Sequence, residues 1–137
     1  MRLRTLICAT GTTAAAAAMA VLSTGTAHAY SEGSITSNTS AKGGWGAAST
    51  LLSTDGFSLR ACDYGPPDGY RAVAHLIRGS YHVTSHAASG SGKCNVEYGW
   101  LPQPPDGTYT LKVCLRDGAG GSDFACRSTS VHHDGSM

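Results

Sequence analysis

The sequence predicts an all-β protein, a small sandwich of about seven short antiparallel strands, and three features carry that expectation. Turn residues recur as STDG, GPPDG, RGS, SGSG, PQPPDG and DGAGGS, at roughly the 8 to 12 residue interval of sandwiches and barrels. The runs between them are short, and the clearest of them alternate apolar with polar residues, the period of a strand with one buried face. Four cysteines remain once the amino-terminal segment is removed, an even count that suits a small exported domain held by two disulfides.

The chain opens with MRLR, continues through the uncharged, alanine-rich LICATGTTAAAAAMAVL and reaches AHA before Tyr30. Basic, apolar and A-x-A segments in that order predict a secretory signal peptide over residues 1–29. The apolar run falls short of the roughly 20 residues that span a bilayer, so the product is expected to be released, extracellular and free of membrane. Cleavage leaves 108 of the 137 residues, one domain's worth, and takes Arg2 and Arg4, so eight basic residues face nine acidic ones. A near-neutral surface gives nucleic acid no electrostatic hold.

The elements follow in order. Residues 30–44, YSEGSITSNTSAKGG, are small and polar with a single Ile35 and are expected to form a flexible arm. The domain is expected over 45–132, starting with Trp45–Leu52 and Gly56–Tyr64. In the latter, Phe57, Leu59 and Ala61 are predicted to face inward and Arg60 and Cys62 outward. YRAVAHLI, Tyr70–Ile77, could form a helix on composition, but it is only about two turns long before Gly79, too short to stand alone, and strand is preferred. YHVTSHA and Cys94–Leu101 are the next strands. In TYTLKVCLR, Tyr109, Leu111, Val113 and Leu115 are expected to fill the core. DFACRSTSV closes the fold, and 133–137 form a frayed tail.

Cys62, Cys94, Cys114 and Cys126 allow three connectivities. If TYTLKVCLR and DFACRSTSV form a hairpin around DGAGGS, Cys114 and Cys126 fall opposite each other, within reach of a disulfide. That pairing is favoured, and elimination leaves Cys62 with Cys94. Strand alternation places the cysteines on solvated faces, as surface staples. The glycine-rich loop between Cys114 and Cys126 leads into a strand rather than a helix, so it is no phosphate cradle. It also lacks the D-x-[DN]-x-[DN]-G rhythm of a calcium loop.

FSLRACDYGPPDGYRAVAHL, CNVEYGWLP and DGTYTLKVCLRDGAGGSDFAC together resemble the small exported disulfide-containing proteins of actinobacteria. In those proteins a strand of the type L-x-V-C-D is followed by a D-G turn and a second strand, and a cysteine-bearing hairpin closes the domain. The resemblance spans about Phe57 to Val131. It implies an immunoglobulin-like sandwich and carries no catalytic residues to transfer.

No enzyme is expected. Serines are many, but none stands in a G-x-S-x-G elbow. Glu32 and Glu97 are the only glutamates, and Asp55, Asp68, Asp106 and Asp117 sit in D-G turns, where they favour tight backbone geometry. For Asp63 a hydrogen-bonding role is preferred over catalysis. His82 and His86 are spaced H-x-x-x-H, but on a strand they lie about 13 Å apart, too far for one zinc ion. His132 and His133 fall at the tail. Neither a metal nor a cofactor is expected.

The best binding candidates are aromatic: Trp45, Tyr64, Tyr70, Tyr98 and Trp100, two groups of which flank the proline-stiffened loops YGPPDGY and YGWLPQPPDG. Emerging beside loops, such rings can stack on sugars or pack on a protein; the competing reading is that Tyr98 and Trp100 fill the core. The expected function is that of a monomeric, secreted interaction module for an extracellular protein or glycan. The alternatives are a carbohydrate- or cell-wall-binding module and an extracellular protease inhibitor.

Overall fold

The computed structural model describes residues 30–39, 42–99 and 104–134. Eight strands form there: β1 (Tyr30–Thr36), β2 (Gly46–Ser53), β3 (Gly56–Asp63), β4 (Tyr70–Arg78), β5 (Tyr81–Ala88), β6 (Lys93–Gly99), β7 (Gly107–Asp117) and β8 (Asp123–His133). They make two antiparallel four-stranded sheets, in the orders β1-β2-β3-β6 and β5-β4-β7-β8. The protein is thus all-β, as the turn spacing predicts.

Period-two patterning explains the layering. On β7, Tyr109, Leu111, Val113 and Leu115 are wholly buried; Leu52, Leu59 and Ala61 join the core from the other sheet, and Ala72, Ala74 and Leu76 stand beside them on β4. β2, β3 and β6 in one sheet and β4, β7 and β8 in the other repeat the A-B-E and C-F-G connectivity of immunoglobulin-like sandwiches. β5 adds an edge beside β4, and β1 an edge beside β2. At the start of β7 the Tyr109 hydroxyl donates to the Pro105 carbonyl at 2.6 Å. This is the tyrosine corner of such folds, in its usual place on the sixth of seven strands.

Three sequence expectations are corrected. Residues 30–36 are no loose arm: they form β1, paired with β2 from Tyr30↔Ser53 to Thr36↔Ala47. β1 lies close against β8, and Gly33 makes room for it: a Cβ there would stand 2.2 Å from a Val131 methyl. At the other end β8 runs to His133, which is buried, so the strand outlasts the expected boundary. Finally, the disulfides are as expected, Cys62–Cys94 and Cys114–Cys126, but Cys62 and Cys114 are buried rather than solvated. Each is shielded by its disulfide partner, and Cys114 also by His75 and Asp123, whose polar atoms lie within 4.8 Å of its sulfur.

Cys62 and Cys94 sit directly opposite in the β3–β6 ladder. On the other sheet the register slips between Val113↔Arg127 and Leu115↔Phe124, so Cys114 faces an extra residue on β8. Ala125 absorbs this bulge in the left-handed region, at φ 52°. Its carbonyl accepts the Asn38 backbone N–H at 3.0 Å, tying the segment after β1 to the second sheet.

Candidate functional site

Alternation decides what the outer face of the first sheet presents. Leu59 and Ala61 point to the core, so Ser58, Arg60, Cys62 and, beyond the strand, Tyr64 point outward. Register then sets Ser34 beside Ser49, Ser49 beside Arg60 and Arg60 beside Val96, with Tyr98 opposite Ser58. The twisted sheet forms a trough here, in two adjoining parts of about 660 and 400 Å³ that share Ser34, Ser49 and Arg60. Small hydroxyl side chains keep its floor low. Glu32 lines one part, and Arg60 lines both, with a guanidinium nitrogen 3.2 Å from the Cys94 sulfur.

Aromatic rings stand at both ends. Trp45 and Tyr64 are stacked, with centroids 4.2 Å apart and planes 16° from parallel. They are 37 % and 42 % exposed, and Tyr98 at the far end is 66 % exposed. Six positions of strand separate the Trp45 row from the Leu51 row, about 20 Å at the usual rise. Beside Tyr98, Leu51, Phe57 and Gly99 line a smaller apolar notch of about 150 Å³.

Trp45, Tyr64 and Tyr98 therefore come together on one face, and the core-filling reading of Tyr98 is overturned. Tyr98 shares its face with Val96 and Cys94, which point away from the core because Ala61 and Leu59 across the ladder point into it. Tyr70 does not join them: it is half-buried and packs edge-on against Phe124 of β8, centroids 5.7 Å apart. Trp100 lies outside the described residues.

The second sheet carries on its outer face a polar chain that its sequence does not announce. His75 on β4 is buried; its Nε2 lies 2.9 Å from Asp123 Oδ2 and its Nδ1 3.0 Å from His82 Nε2. Arg116 donates to Asp123 Oδ1 from Nε at 2.7 Å and from its terminal nitrogen at 2.6 Å. Since a carboxylate only accepts, His75 Nε2 carries a proton, and in the neutral ring Nδ1 accepts from His82. Burial lowers the pKa of His75 despite Asp123. Burial, with Arg116 and Arg71 nearby, also lowers that of His86. For Asp123 burial opposes ionisation, but the Arg116 hydrogen bond and His75 hold its carboxyl below the usual value. As calculated from strand spacing, His82 and His86 do not converge; the partner of His82 is His75, reached diagonally across the β4–β5 ladder, where Ile77 faces His82 and His75 faces Thr84.

Comparison with protein-family models, with curated proteins and with solved structures finds no match to this chain. Among the described residues no helix is long and apolar enough to cross a membrane. Two disulfides are consistent with an extracellular protein.

Proposed function

We propose that this protein is exported and acts without catalysis as a binding module, holding a glycan chain in the trough of the first sheet. The observation that supports the reading is the bracketing of a hydroxyl-lined floor by exposed rings, Trp45 on Tyr64 at one end and Tyr98 at the other. Aromatic faces stack on the C–H faces of sugar rings. Serine hydroxyls both donate and accept, as a polyol requires. The trough is long, open and polar, unlike the enclosed apolar pockets that take small drug-like molecules.

A protein partner is the second reading, and the notch of Leu51, Phe57 and Tyr98 favours it, because one apolar side chain inserted there would serve as an anchor. Retention on insoluble chitin, cellulose and peptidoglycan separates the two. Glycan binding predicts retention on at least one, reduced on the order of tenfold by Tyr64→Ala and by Tyr98→Ala, a loss of about 1.4 kcal/mol each. Flow-through on all three, with capture of an exported protein that Leu51→Asp abolishes, would replace the glycan by the protein partner.

A further inference from the structure

We infer that the outer face of the second sheet binds a divalent late first-row transition ion, Zn²⁺ or Cu²⁺, through His75 Nδ1 and His82 Nε2. The two nitrogens are 3.0 Å apart and face each other across the β4–β5 ladder. Two imidazoles on one ion, each at about 2.0–2.1 Å, stand roughly 2.9–3.4 Å apart for angles between square-planar and tetrahedral. An ion can therefore take the place of the single proton between the rings once the exposed His82 ring swings aside, so that both lone pairs converge on it. His82 would then carry its proton on Nδ1 and offer Nε2 as ligand, while His75 keeps the tautomer it already has.

What lies behind His75 fits the same purpose. A metal-bound histidine commonly donates its other N–H to a carboxylate, which fixes the ring and raises its basicity. Asp123 takes that place at 2.9 Å and is itself fixed by the Arg116 fork. It approaches His75 from the Nε2 side, so it orients the ligand and does not bind the ion. The sulfur of Cys114 lies within 4.8 Å of ligand atoms of His75 and Asp123, but it belongs to the disulfide and offers no thiolate. His82 is exposed, so the ion would enter from solvent and keep water in its remaining positions. Imidazole ligands with open positions suit zinc and copper rather than calcium or magnesium, which prefer oxygen.

The test is calorimetric titration of the metal-free, disulfide-intact protein with Zn²⁺ and, separately, with Cu²⁺. The wild type is expected to take up one equivalent saturably, with the His82 imidazole switching tautomer in ¹⁵N spectra. His82→Gln, a change at an exposed position, is expected to abolish that equivalent. Asp123→Asn should weaken it about 10- to 100-fold, the range for loss of such a supporting carboxylate. His132→Ala, at the exposed end of β8, should leave it unchanged. The inference is overturned if neither ion binds saturably, if His82→Gln binds as the wild type does, or if His132→Ala removes the site.

Discussion

Asp63 is almost wholly inaccessible to water, and both its carboxylate oxygens are occupied. Oδ1 accepts the Gly65 N–H at 3.1 Å and Oδ2 accepts the Gly90 N–H at 3.0 Å. Its carbonyl takes the Gly92 N–H at 2.7 Å, so one residue at the end of β3 clamps the loop before β4 to the turn after β5. That turn needs clamping: Ser89, Gly90, Ser91 and Gly92 run consecutively through positive φ, which costs energy at the two serines. Asp63→Ala strands two buried N–H groups and is expected to lower stability by about 3 kcal/mol in urea unfolding. Asp55→Ala, at an exposed turn, should change it by less than about 0.5 kcal/mol. Equal losses would mean that Asp63 clamps nothing. That Asp63 forms hydrogen bonds was legible from its place beside a turn; its partner Gly90, far along the chain, was not.

At the scale of elements, legibility follows how one-sided a strand's burial is. β7 has a water-free inner face and alternates in sequence, so its core residues could be read off directly. β6 offers no such contrast, because its outward ring Tyr98 looks in sequence like a core aromatic. β1 hid for a different reason: Ile35 is its one aliphatic side chain against the core, and its close approach to β8 depends on Gly33. Gly33→Val would force a side chain into the Val131 methyl, already 2.2 Å from an ideal Cβ. Overpacking of this kind costs about 1–3 kcal/mol. Here it should fall mainly on β1, as faster hydrogen exchange of its amides with those of β7 unchanged. Uniformly faster exchange would instead mean that β1 and the core open together. The candidate sites were hidden at the same scale, since the trough needs the register of four strands and the His75 chain joins residues from β4, β5, β7 and β8.

The whole molecule is a sandwich with unlike outer faces, one hydroxyl-lined and ringed with aromatics, the other carrying its linked titratable groups, and the second face sets how stability answers to pH. His75 meets Asp123 from β8, Lys112 from β7 and His82 from β5; around His86 stand Arg116, Arg71, Asp123 and Glu97. Both histidines have pKa values below the ordinary 6.5 in the folded protein. Below that value the unfolded chain takes up protons that the native rings refuse, so stability falls with acidification and rises again with pH. Asp123 acts lower on the scale: its folded pKa lies below 3.8, so the stability it adds is present above that value and is lost as pH falls through the folded one. In metal-free protein the urea midpoint is thus expected to be level above about pH 7, to drop between about pH 6.5 and pH 5, and to drop again in strong acid. Replacing His75 and His86 by glutamine should flatten the first drop and leave only that part of the second which Arg116 supplies. A midpoint that stays level from neutrality to about pH 5 in the wild type would show that protons reach the two rings equally well folded and unfolded, and the burial argument for His75 would fail with it.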